Sequence, residues 1–86
     1  MNSFSIIIVN WNGLDHLKRY LPSVVASNYE AFEVIIADND SSDQSIEWVK
    51  QEFPEIKVIA LDQNYFFAGG NNRASKIANH EWLVFL

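Results

Sequence analysis

Apolar residues in this chain fall into short unbroken runs that alternate with stretches at helical spacing. Phe4 to Val9 is a continuous β-branched run, the pattern of a strand buried on both faces of a parallel sheet. Gly13 breaks it. From Leu14 onward, Leu14, Leu17, Leu21, Val24 and Val25 recur along one helical face, with Lys18 and Arg19 turned to solvent. Pro22 is expected to interrupt or kink this helix. Phe32 to Ala37 predicts the second strand, and Ile46, Val49 and Phe53 mark a helix that ends before Pro54. Lys57 to Leu61 predicts a third strand. After a Phe66-Phe67-Ala68-Gly69-Gly70 turn, residues Asn71 to Asn79 should be helical, and Trp82 to Leu86 should form a fourth strand.

Strands alternating with helices through short connections imply a parallel sheet with right-handed crossovers. The expected fold class is α/β: a Rossmann-like three-layer α/β/α half-domain with a mainly parallel sheet of about four strands. The last strand runs off the end at Leu86, so the chain reads as the front half of a larger domain. A raw terminal strand also leaves sheet edge and apolar surface for pairing with another copy.

Composition and charge narrow the function. A hydrophobic share of 49% is too apolar for disorder. The net charge of -5, with only six scattered Lys and Arg, argues against a nucleic-acid binder. There is no cysteine, hence no disulfide framework or thiolate metal site. No signal peptide opens the chain, and no run approaches the roughly 20 apolar residues of a spanning helix. A cytoplasmic location is expected. The Asn39-Asp40-Ser41 sequon reads as coincidence in a chain without an export signal.

Both leading strands run into polar loops: Asn10-Trp11-Asn12-Gly13 after the first, and Asp38-Asn39-Asp40-Ser41-Ser42-Asp43 after the second. Ligands of open α/β sheets sit at the carboxyl ends of strands, where strand order reverses. An acid after the second strand suits ribose hydroxyls or a base N–H, because a carboxylate only accepts hydrogen bonds. Asp38 is the first candidate, although the same spacing also suits Asp38 and Asp43 as helix caps. Trp11 fits either a platform for a nucleobase or a core aromatic closing the sheet end. The tract Ala68 to Arg73 opens a helix whose free amides, together with Arg73, could face a diphosphate. Neither a G-x-G-x-x-G fingerprint nor a P-loop is present. A bound diphosphate would therefore need a cation held by carboxylates beyond Leu86. His16 and His80 have no partner pattern and read as structural. A phosphoacceptor domain would need acids after the first strand, where this chain has Asn10 and Asn12.

The segments Ser5 to Gly13, Phe32 to Asp43 and Asn64 to Arg73 together resemble the amino-terminal half of a family 2 glycosyltransferase of the GT-A fold, over essentially the whole chain. The Phe67 to Asn72 version looks most like the rhamnosyltransferase-type members that build bacterial surface polysaccharides. The resemblance implies inverting sugar transfer from a UDP- or dTDP-sugar donor to a glycan or lipid-linked acceptor, at the inner face of the membrane. It implies Mg or Mn held by an Asp-x-Asp motif past the fourth strand. By the same resemblance Asn10, Trp11 and Asn12 contact the nucleoside, Asp38 the base or ribose with Asp40 beside it, and Asn72 and Arg73 lie near the phosphates. Residues 1–86 are then the nucleotide-sugar-binding part, inactive alone for want of the metal motif and the catalytic base. Phe66 stands where the family usually has a glycine, at a turn suited to positive φ, so the backbone or the pocket is expected to depart from the family pattern there. A non-catalytic oligomerising or binding module is the alternative reading.

Overall fold

A computed structural model of the chain describes residues 4–26, 32–78 and 82–85. Asn79, His80 and Leu86 lie outside them. The elements alternate as β1 (Phe4–Asn10), α1 (Leu14–Val25), β2 (Phe32–Asp38), α2 (Ser45–Glu52), β3 (Lys57–Ala60), α3 (Phe66–Ser75) and β4 (Trp82–Phe85). All strand pairs are parallel and the order is β3-β2-β1-β4. The chain steps outward from β1 to β2 to β3, and α3 then carries it back to the far side of β1. Strand order therefore reverses between β1 and β4, which makes the carboxyl edge there the place for a ligand.

The sheet is covered on both faces, as the unbroken apolar runs predict. Alternation along the strands sends Ile6, Val34 and Ile36 to one face, against Leu17 and Leu21 of α1 and Val49 of α2. Ile7, Ile35 and Ala37 go to the other, against Ala74 of α3. The three-layer α/β/α expectation holds.

Three local expectations need correction. Pro22 does not interrupt α1: it lies in the last turn, and its carbonyl accepts from the Ala26 N–H at 3.0 Å. The proline leaves one ladder position without a donor, opposite the Lys18 carbonyl, and the helix runs on for three residues beyond it. β3 ends at Ala60, although the Leu61 N–H still reaches the Asp38 carbonyl at 2.8 Å. The third helix covers Phe66–Ser75, starting five residues before the expected Asn71. The glycine pair that reads locally as a turn is helical because packing favours it. A Cβ on Gly70 would lie 3.0 Å from Val9 Cγ1 and 3.2 Å from Asn39 Nδ2, so glycine lets the helix sit directly on β1.

Candidate functional site

The parallel register sets Asn10 beside Asp38 at the carboxyl ends of β1 and β2. Both are only 4% exposed. Asn10 Nδ2 donates to Asp38 Oδ1 at 2.8 Å and to Ser45 Oγ at 2.9 Å, with a longer contact to Ser41 Oγ at 3.3 Å. Asp38 Oδ1 also accepts from Ser41 Oγ at 2.6 Å, and Oδ2 from the Ser41 N–H at 3.0 Å. The carboxylate thus closes its own loop as an Asx turn. It does not cap α2.

Capping falls to Asp43, which serves two helices. Its Oδ1 accepts from the Ser45 N–H at 3.0 Å and from the Ser45 hydroxyl, and its Oδ2 from the Leu14 N–H at 3.2 Å. One carboxylate therefore sits at the amino ends of both α1 and α2, where helix dipoles favour negative charge. Desolvation pushes the Asp43 carboxyl up. The hydrogen bonds from the Ser45 side chain and backbone and from Leu14 together outweigh it and leave the group below its ordinary value.

Asn12, with φ of 50°, ties the first loop to the second. Its Oδ1 accepts from the N–H groups of Ser42 at 2.7 Å and Asp43 at 3.1 Å, while its own N–H donates to Ser41 Oγ at 2.8 Å. Asn39 ties the second loop to the third. At 1% exposure its Oδ1 accepts from the Tyr65 N–H at 3.2 Å and its Nδ2 donates to the Phe66 carbonyl at 3.1 Å. Its backbone N–H reaches the Asn10 carbonyl at 2.8 Å. The sequence places Asn39 among the polar residues after the second strand without giving its side chain a role. The available signal was its position between two acids at a strand end, where a side chain with both donor and acceptor can bridge two backbones.

Three predicted residues whose side chains take no part in these ties are exposed: Trp11, Asp40 and Asn72. Trp11 is 57% exposed, which rules out the core-aromatic reading, and it rims an apolar cleft of about 490 Å3 along Leu17, Tyr20 and Val24 of α1. Asp40 is exposed, has φ of 60°, and makes no hydrogen bond among the described residues. Asn72 is exposed on α3, with its carbonyl accepting from Ser75 Oγ at 2.9 Å. Arg73 lies over the Tyr65 ring, 3.4 Å from its centroid, and donates to the Gly69 carbonyl at 3.2 Å. Tyr65 in turn donates its hydroxyl to Asp62, and that hydrogen bond holds the phenol above its usual range. Gly69 makes the stack fit: a Cβ there would meet Tyr65 Cβ at 2.7 Å. The Arg73 backbone lies two turns into α3, and its guanidinium is engaged back along the flank of the helix, on the tyrosine that precedes the first turn. Asn71 Oδ1 is buried and has no hydrogen-bond partner among the described residues.

No group of three His, Asp or Glu among the described residues is arranged to hold a metal ion. The Mg or Mn that the family resemblance implies finds no ligand set among the described residues.

Residues 5–86 match the family Glycosyl transferase family 2. The chain belongs to that family. It is 31% identical over 88 residues to the Escherichia coli UDP-Glc:alpha-D-GlcNAc-diphosphoundecaprenol beta-1,3-glucosyltransferase WfaP, covering 100% of this chain and 35% of that protein. It is 29% identical over 90 residues to the teichoic acid poly(glycerol phosphate) polymerase of Staphylococcus epidermidis, covering 100% of this chain and 12% of that one. The solved structure of S. aureus TarS 1-349 in complex with UDP superposes with a TM-score of 0.88 at 28% identity, over 98% of this chain and 26% of TarS. TarS has also been solved with UDP-GlcNAc, with a TM-score of 0.87. The chain thus spans about a third or less of the relatives it matches. This family 2 chain has the fold of the corresponding part of TarS, and no helix among its described residues is long and apolar enough to cross a membrane.

Proposed function

We propose that the chain is the amino-terminal, nucleoside-binding part of an inverting glycosyltransferase. The enzyme would transfer a sugar from a UDP- or dTDP-sugar to a glycan or lipid-linked acceptor in bacterial surface polysaccharide synthesis. The observation that carries this is the set of three loops at the carboxyl edge. Fastened to one another through Asn12 and Asn39, they present Trp11 and the free carboxylate of Asp40 outward at the edge where strand order reverses. A rigid edge holds its contacts ready before the ligand arrives, which lowers the ordering cost of binding.

In this proposal the chain's own residues bind and orient. Trp11 offers an indole face to the base, with its polar edge free. Asp40 accepts from ribose hydroxyls or a base N–H. Asn10, Asp38 and Asn12 contribute by holding the loop that aims them. Asn72 and Arg73 stand toward the phosphates, and Arg73 would have to leave Tyr65 to reach one. The leaving diphosphate and the surrounding acids are all anionic, so the charge that neutralises them, Mg or Mn, and the base that activates the acceptor belong to chain outside these 86 residues.

Titration with UDP and dTDP tests the reading, followed by calorimetry and by tryptophan emission. Saturable binding that Trp11→Ala and Asp40→Ala each weaken about tenfold, in the range of lost stacking or charged hydrogen bonds, supports it. Nucleotide binding unaffected by either substitution would reject the assignment.

A further inference from the structure

Among the residues assigned above to the nucleotide, Arg73 alone carries positive charge. Its guanidinium does not reach freely into solvent. The central carbon stands 3.4 Å from the centroid of the Tyr65 ring, and Nη1 donates to the Gly69 carbonyl at 3.2 Å. Among the described residues no carboxylate forms an ion pair with it. The charge is held by a ring face and a carbonyl, and its counter-anion is missing.

Several residues build the seat on which it rests. Tyr65, Gly69 and Arg73 recur every four residues, which sets them along one flank of α3. Gly69 opens the space, since a Cβ there would stand 2.7 Å from Tyr65 Cβ and 3.5 Å from Arg73 Nη1. Asp62 accepts the Tyr65 hydroxyl and so fixes the ring from its far end. The Tyr65 N–H donates to buried Asn39 Oδ1 at 3.2 Å, which pins the tyrosine backbone to the second loop. A guanidinium whose backbone lies two turns into the helix is thereby drawn back toward the carboxyl edge.

Building on the donor-site proposal, on which it depends, we infer that Tyr65 is a berth for Arg73: a positioning residue that keeps the guanidinium at the edge in the free chain and yields it to the donor diphosphate. The two partners compete for one cation. An exposed cation–ring contact shifts an equilibrium by about twofold to fivefold. Charge-assisted, bidentate hydrogen bonds to a phosphate are stronger, so the diphosphate draws the side chain off the ring. Whatever the berth contributes to the free chain is then subtracted from the affinity for the diphosphate. A nucleoside without phosphate leaves the berth occupied.

The test titrates the chain with uridine and UDP, as wild type, Tyr65→Leu, Arg73→Gln and the double variant. Tyr65→Leu should tighten UDP about twofold to fivefold and leave uridine unchanged. In the Arg73→Gln background the same substitution should have no effect on UDP. Side-chain NMR of the arginines gives a second readout. The Arg73 Nε–H, shifted by the Tyr65 ring in the free chain, should move to an unshifted position as UDP saturates and should not move with uridine. Leucine keeps apolar bulk beside the helix, and a urea melt verifies that each variant is folded. UDP that binds no tighter than uridine, that leaves the Arg73 resonance unmoved, or that Tyr65→Leu weakens or does not change, overturns the berth while the nucleoside site stands. If the wild type binds neither ligand, the donor-site proposal fails and this inference fails with it.

Discussion

Replacing Asn10 with alanine should destabilise the chain by about 3 kcal/mol, although the side chain lies at the rim of the sheet. Asn10 Nδ2 makes one hydrogen bond to the Asp38 carboxylate and one to the Ser45 hydroxyl. A bond to a charged group contributes about 1.5–3 kcal/mol and a neutral one about 1 kcal/mol. Asp38 and Ser45 are both buried, so water cannot replace the lost donor without opening the loop. For a domain of this size, about 3 kcal/mol lowers Tm by roughly 12–24 °C. Urea and thermal unfolding followed by circular dichroism measure it, with Trp11→Ala as the neighbouring control. Exposed Trp11 should change stability by no more than about 0.5 kcal/mol. A cycle with Asp38→Ala should give a coupling above about 1 kcal/mol. If Asn10→Ala costs less than about 1 kcal/mol, or the coupling vanishes, the buried clamp does not hold the site together.

Other outcomes follow from the same structure. Gly13→Ala should cost about 1–3 kcal/mol, because its Cβ would come within 2.5 Å of Asn10 Oδ1, and the loss should shrink in an Asn10→Ala background. Phe66→Gly should stabilise the fold by up to about 1 kcal/mol by urea melt, the release of left-handed strain exceeding the added chain entropy. Asn71→Leu should raise stability by about 1–2 kcal/mol, since it removes a buried acceptor that has no partner. The folded Asp43 carboxyl titrates below its ordinary value of 3.8. Its stabilisation is therefore fully present above that pH and is lost as pH falls through the lower folded value. Urea midpoints measured downward from pH 6 should show a smaller acid loss for Asp43→Asn than for wild type; parallel curves would contradict the assignment.

Much of the fold was legible because burial on both faces leaves a local signature. The runs Ile6-Ile7-Ile8 and Val34-Ile35-Ile36 announce strands without knowledge of their neighbours, and the spacing of Leu14, Leu17 and Leu21 announces the helix between them. The start of α3 was not legible. Gly69 and Gly70 have poor helix propensity, and what makes them helical is the fit of Gly70 against Val9 and the grip of Asn39 on the first turn. Both contacts are distant in sequence. The engagement of Arg73 was closer to reach, since Tyr65, Gly69 and Arg73 recur every four residues along one helical flank.

The sequence by itself determined the order of strands and helices, the two-faced sheet, the acidic and aromatic character of its carboxyl edge, and the resemblance to family 2 glycosyltransferases. Only the tertiary structure decided which of those edge residues turn inward. Hydrophobic periodicity is written into neighbouring positions, whereas the direction of a polar side chain depends on what the register sets beside it. Parallel pairing places Asn10 against Asp38 and buries both, Asn39 binds the third loop to the second, and Trp11, Asp40 and Phe66 remain outside.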